Sequence, residues 1–266
     1  MPEGHTLHRY ALALRDDLAG HAVRASSPQG RFADGAARLD GRVVLGVEAF
    51  GKNLLVNAEG DLTVGVHLGM RGLFLRYDDP ATPPRAGTRL RLAADRAAFD
   101  LIAPSRCVLL TPPERQALLA RLGPDPLRAD PGGRAGAEAV RRLRAARGTI
   151  AEALLDQSVV AGVGNVYRAE VLYLHRLDPR TPAREVPEDA LAALWRTLRE
   201  TMPRGVRTGH ILTADVPDDT PPEDGRYVYK RATCLGCGGP VRSWDVAGRT
   251  VHACEREQLA DAPAAA

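Results

Sequence analysis

The sequence predicts an α+β chain of several domains. An N-terminal antiparallel β-sandwich with a leading helix spans 2–122, a helical domain built around a tight double turn spans 123–213, and a C-terminal cysteine-bearing β-hairpin spans 226–260. Three observations predict this order. Seven short β-rich runs alternate with turn signals between Arg42 and Leu110. Helical spacing takes over after the turn-rich Gly123-Pro124-Asp125-Pro126. Cys234-Leu235-Gly236-Cys237 is followed by a third clustered cysteine, Cys254. At 266 residues the chain has room for two or three hydrophobic cores.

The chain opens on Met1-Pro2-Glu3. Removal of Met1 ahead of a small residue would leave Pro2 as a secondary amine with the Glu3 carboxylate beside it. An α-amino group titrates near pH ~8, so a sizeable fraction is unprotonated at neutral pH. Such an amine condenses with an aldehyde-like carbon to an iminium, an electron sink for eliminations, and a neighbouring carboxylate can shuttle the protons. The alternative is that Pro2 simply follows a start codon. Leu7, Tyr10, Ala11, Leu14 and Leu18 then fall at helical spacing, which predicts a helix over 6–18 that holds Pro2 and Glu3 against the body of the domain.

The β-rich runs are 42–47, 53–56, 62–66, 73–77, 89–92, 98–102 and 107–110, a density that predicts an antiparallel sandwich or barrel. Cys107 lies in the last run and reads as a small core residue. Lys52 follows Gly51 at the head of one strand. Among 36 basic residues only Lys52 and Lys230 are lysine, so a compact, titratable ammonium at position 52 is either functional or a chance survivor of an arginine-rich composition. His67-Leu68-Gly69-Met70-Arg71-Gly72 forms a glycine-flanked loop between strands, where Met70 either fills a core gap or projects as an apolar wedge for a base stack.

Beyond a short helix over 112–122, the helix predicted over 137–146 is surrounded by Arg134, Arg141, Arg142, Arg144 and Arg147. Thr149 and Glu152 make a capping box for a helix over 150–156. Gln157 leads into Gly162-Val163-Gly164-Asn165 and a further helix. Two glycines at a helix N-terminus expose backbone N–H groups as a phosphate cradle, with Gly164 and Asn165 at its rim. Leu191, Leu194, Trp195, Leu198 and Met202 form an apolar stripe read as core packing. The Pro- and Asp-rich stretch from Ala214 to Gly225 reads as a flexible tether.

In the last segment Cys234 and Cys237 have the spacing of a metal knuckle, and Cys254 follows at about the distance of a β-hairpin. A fourth thiolate belongs three residues later, where the chain has Glu257. Glu257 through oxygen, His252 through nitrogen, a water, or no metal at all are the open alternatives for a structural Zn(2+) site. Arg249 sits near the hairpin tip, available to a phosphate. Asp261 to Ala266 reads as a disordered tail.

Composition narrows the class. A hydrophobic fraction of 44% suits globular folding, and no apolar run approaches the roughly 18 residues of a membrane span. His5, His8, Arg9, Arg15, Asp16 and Asp17 interrupt any signal-peptide core, so a cytoplasmic protein without membrane contact is expected. Four cysteines do not make a disulfide framework. The net charge of +3 is compatible with a polyanionic partner.

With these pieces in order, the chain resembles the formamidopyrimidine-DNA glycosylase and endonuclease VIII family over nearly its whole length. Met1-Pro2-Glu3-Gly4-His5-Thr6 is similar to the family N-terminus, and Gly-His-Thr is nearer the endonuclease VIII-like branch. Gly51-Lys52, the intercalation loop His67-Leu68-Gly69-Met70, the helix-two-turn-helix stretch from Asp156 through Gly162-Val163-Gly164-Asn165-Val166-Tyr167 to Glu170, and the zinc-finger stretch Tyr227-Val228-Tyr229 with Cys234, Cys237, Arg249 and Cys254 carry the rest of the likeness. The resemblance implies a bacterial, monomeric, nucleoid-associated base-excision enzyme acting on damaged DNA. In it Pro2 attacks C1′ as the base leaves and Glu3 serves as general acid and base. Lys52, Asn165 and Arg249 hold phosphates, and Met70 fills the gap left by the flipped base. Oxidised pyrimidines are the expected lesions, with oxidised purines or a non-catalytic damage binder as alternatives. Three positions depart from the family pattern. Glu257 stands for a cysteine, 98–106 replaces the family's Asp-Pro-Arg-Arg-Phe-Gly loop, and Ala151 stands where many members have a lysine.

Overall fold

The computed structural model describes residues 2–259, and both Met1 and the tail read as disordered lie outside the described residues. The chain divides into two compact units, Met1–Arg121 and Leu122–Ala266, so the cysteine hairpin shares a unit with the helices instead of standing as a separate module.

In the first unit, helix α1 (Gly4–Leu18) leads into ten-residue-scale alternation of strand and turn. One sheet has the order β1 (Arg24–Ser26), β6 (Thr88–Ala93), β7 (Ala98–Ile102), β5 (Leu73–Tyr77). The other has the order β2 (Val44–Phe50), β3 (Asn53–Ala58), β4 (Leu62–His67), β8 (Arg106–Leu110), and all pairings are antiparallel. Inward residues of both sheets, among them Val56, Val64, Leu92 and Phe99, join Leu7, Leu14 and Leu18 of α1 in one apolar cluster. Cys107 is buried in that cluster, as expected of a small core residue. Helix α2 (Ala33–Leu39) and strand β1 carry too few periodic residues to be read from sequence. Helix α3 (Pro112–Ala120) closes the unit behind a capping box of Thr111 and Glu114.

The second unit packs α4 (Arg134–Ala145), α5 (Ile150–Leu155), α6 (Asn165–Leu174) and α7 (Glu188–Thr208) around one core. Leu191, Leu194, Trp195, Leu198 and Met202 are all buried in it, so the stripe on α7 is packing. The hairpin of β9 (Val241–Val246) and β10 (Arg249–Cys254) joins the same core through Cys254, and β10 packs against α6. The stretch from Ala214 to Gly225 is not a loose tether. Thr213 and Ala214 N–H both donate to Gly225 O, and the Arg204 guanidinium grips Ala214 O, Val216 O and Asp218, which folds the segment back on itself.

Candidate functional site

The candidate residues fall into a group on each unit. On the first, Glu3 is the N-cap residue of α1 and fully buried, with its carbonyl accepting from Thr6 N–H at 2.9 Å, while Pro2 beside it is half-buried. Helix α1 packs against β2 and β3, the two strands whose tight turn, Gly51-Lys52, carries the half-buried Lys52. Lys52 thus lies within the turn, one residue before the strand it was expected to begin.

Next to that turn the sheet register sets Asn53, His67 and Arg106 in a row across β3, β4 and β8. Arg106 donates to Asn53 Oδ1 at 2.8 Å. His67 Nδ1 accepts from Gly69 N–H at 3.1 Å, which leaves the ring proton on Nε2, and Ser105 Oγ lies 2.9 Å from both His67 Nδ1 and the His67 carbonyl oxygen. Burial, then the charges of Arg106 and Lys52, hold His67 below the usual imidazole range, so the ring is neutral at physiological pH. Gly69 has φ +66° with Ser105 Cβ only 2.8 Å from where its own Cβ would be, so no larger residue fits this turn. The turn presents Met70 with 71% of its surface exposed, which decides between wedge and core filler in favour of a projecting side chain. Ser105 and Arg106 end the 98–106 stretch that departs from the family pattern, and the sequence assigns neither a partner. Ser105 closes the three-residue β7–β8 connection and Arg106 opens β8, and the partners of both are strands apart in sequence.

On the second unit, Gln157 staples the double turn: its Nε2 donates to Leu155 O and Val163 O, and its Oε1 accepts from Gly162 N–H. Gly164 is the N-cap of α6 and Asn165 its first residue, so the two residues expected at the rim of a phosphate cradle do stand at a helix N-terminus. Asn165 Nδ2 donates to Thr250 O at 3.0 Å, and the buried Arg168 donates to the same oxygen at 2.9 Å and to Asn165 Oδ1. Thr250 follows the exposed Arg249, the first residue of β10, so the structure brings Asn165 and Arg249 together through one carbonyl. Arg168 was not foreseen, because a buried arginine on a helix has no sequence signature.

A second unforeseen residue role is that of Glu170. Its fully buried carboxylate accepts from the N–H groups of Tyr227, Val228 and Tyr229 at 2.7–2.9 Å and from Thr213 Oγ1. Three backbone donors converging on one side chain make a strong, directional clamp, and it fixes the segment entering the cysteine knuckle to α6.

The sulfurs of Cys234, Cys237 and Cys254 lie within 4.8 Å of one another. Burial acts to raise the Cys234 thiol, but hydrogen bonds from the Tyr173 hydroxyl and the Cys237 and Gly236 N–H groups outweigh it and hold Cys234 below the ordinary thiol range, while burial pushes Cys254 up to about 11. Three convergent thiols fit a thiophilic divalent ion such as zinc. The fourth position is not completed by either protein candidate among the described residues. Glu257 is turned to Arg176, with Oε2 3.0 Å from Nε, and His252 Nδ1 is 2.8 Å from Ser243 Oγ with its ring edge against Tyr229. Glu257, the residue expected at the fourth position, thus has its carboxylate against the Arg176 guanidinium just beyond the C-terminus of α6, outside the three-sulfur cluster.

Comparison with known proteins matches residues 1–106 to the formamidopyrimidine-DNA glycosylase N-terminal domain and residues 122–216 to the formamidopyrimidine-DNA glycosylase H2TH domain. The chain is 41% identical to Endonuclease 8 1 of Mycobacterium tuberculosis, over 96% of this chain and 98% of that protein. It is 36% identical to the formamidopyrimidine-DNA glycosylase of Thermus thermophilus, over 96% of each. The crystal structure of the MutM (Fpg) protein from Thermus thermophilus superposes with a TM-score of 0.75 at 30% identity, covering 97% of this chain and 99% of that one. The Lactococcus lactis Fpg complex with a THF-DNA and an inhibitor has the same fold, with a TM-score of 0.78 at 22% identity over 97% of this chain and 99% of that one.

Proposed function

Because the chain belongs to the formamidopyrimidine-DNA glycosylase and endonuclease VIII family, whose members are DNA glycosylases with abasic-site lyase activity, we propose that it excises oxidised bases, pyrimidines foremost, through its N-terminal proline. The observation that carries this reading is the fully buried Glu3 capping α1 beside Pro2, on the helix that packs against the strands of the Lys52 turn. Pure binding needs no secondary amine next to a carboxylate.

In this reading the Pro2 nitrogen bonds to C1′ of the damaged nucleotide as the glycosidic bond breaks and the base leaves with the electron pair. Opening of the sugar gives the iminium, with Glu3 moving the proton to the ring oxygen. The iminium acidifies C2′, whose proton is lost as the C3′–O bond breaks, and a second elimination releases the 5′ phosphate. Asn165, the Gly164 turn, Arg249 and Lys52 hold phosphates. A base inside a duplex must be flipped out to be reached, and Met70, supported by His67 and Ser105, fills its place. Ser105 of the short β7–β8 connection is engaged in that support, and the opposite strand is read loosely or not at all. The thiols of Cys234, Cys237 and Cys254 would hold a zinc ion, which when bound would cross-link the knuckle to β10.

Borohydride trapping on duplexes with an abasic site, 5-hydroxyuracil or 8-oxoguanine, with the adduct peptide read by mass spectrometry, tests this. The expected result is an adduct on Pro2, formed faster on 5-hydroxyuracil than on 8-oxoguanine. Similarity to the Thermus thermophilus formamidopyrimidine-DNA glycosylase favours the second reading, oxidised purines, which the reverse ranking would establish. Intact DNA binding with no adduct on any substrate would refute both.

A further inference from the structure

A groove of about 860 Å³ opens between α4 and α7 on the second unit, lined by none of the phosphate-site or cysteine residues. Its floor is the Trp195 indole, which α4 approaches closely because position 136 is glycine; a Cβ there would stand 2.8 Å from Trp195 Nε1. Val140 and Ala192 form apolar wall. Although the Trp195 side chain is 5% exposed, its indole N–H donates to no group among the described residues.

The rim is cationic. Arg141, Arg144, Arg196 and Arg199 line it. The acids nearby are already engaged: Asp130 accepts from Ala135 and Gly136 N–H, Glu188 pairs with Arg144 at 2.6 Å, and Glu138 pairs with Arg141. The two ion pairs are solvent-exposed, contribute little, and exchange readily for a better partner. Arg196 has no carboxylate within 4.0 Å among the described residues.

We propose that this groove binds an acidic, partly apolar peptide segment of another protein. Carboxylates match the arginine forks and the free indole N–H, while aliphatic side chains at helical spacing fill the Val140 and Ala192 wall, the common helix-in-groove mode. A nucleic-acid backbone offers charge but no apolar group for that wall, so the peptide is the better occupant.

Trp195 and Trp244 are the two tryptophans of the chain, so a full-length Trp244→Phe protein reports on the groove alone. The probe is a synthetic peptide of aspartate and glutamate with two leucines one helical turn apart. The expected result is a saturable shift of Trp195 emission. The double variant Arg144→Glu/Arg196→Glu should weaken it about tenfold, the scale of one lost charge-assisted contact. Ala192→Phe, which fills the groove without changing charge, should weaken it as well, and both variants should retain strand cleavage at abasic sites. The proposal is overturned if the peptide causes no shift, if the same peptide with lysine for its acids shifts Trp195 equally, or if undamaged duplex DNA competes for the groove.

Discussion

At position 67 the ring is held neutral by three causes acting together, and its protonation would cost the turn that carries Met70. Gly69 N–H needs Nδ1 as an acceptor, and a protonated imidazole cannot accept. The folded state therefore binds its proton at lower pH than the unfolded chain does at about 6.5. Stability from this group is complete above that value and is lost as pH falls through the lower, folded pKa. An NMR titration of the His67 ring should show a midpoint below 6.5, with the Gly69 amide losing protection in the same window; a midpoint above 6.5 would contradict the assignment. At position 170 the same reasoning runs through hydrogen bonds. Glu170→Gln keeps the shape but turns an N–H₂ group toward backbone donors, and should lower the unfolding free energy of its unit by about 1.5–3 kcal/mol, the range for a bond to a charged group, as read by denaturant titration. Pro2→Gly, which leaves a primary amine without the ring that fixes its direction, should sharply reduce borohydride trapping while duplex binding stays within a few-fold.

The hairpin of β9 and β10 is the element on which sequence and structure differ most usefully. Its existence was legible from Cys234, Cys237 and Cys254 because metal knuckles require fixed local spacing. What anchors it was not legible, because Glu170, Arg168 and Arg176 act on partners roughly 50 to 90 residues away that no local pattern marks. Strands 73–77 and 98–102 were read with their observed bounds, while β1 and α2 were missed, their short apolar runs being indistinguishable from loop. Because the clamp at Tyr227 to Tyr229 is independent of the sulfurs, chelation should raise hydrogen exchange around Cys234, Cys237 and Cys254 while leaving the amides of 227–229 protected. Glu257→Cys should raise zinc occupancy and Tm together if three thiolates leave a weak fourth position. Arg249→Ala should lower the slope of log affinity against log salt by about 1, the loss of one phosphate contact.

Over the whole molecule two separate apolar clusters, one per compact unit, imply two cooperative units. Calorimetry with and without a chelator should therefore shift only the transition that contains the cysteine cluster; equal shifts of the entire profile would mean the units unfold as one. The Glu170 clamp has a further consequence for how the chain acquires this structure during synthesis. Its four donors all come from sequence made after α6, so the Glu170 side chain lacks its full set of partners until the ribosome has released the segment through Tyr229. The first unit can mature while the second is still being translated, but the second has to assemble late and all at once, and a chain truncated within 214–226 would present a half-built helical domain to the cell's quality-control proteases.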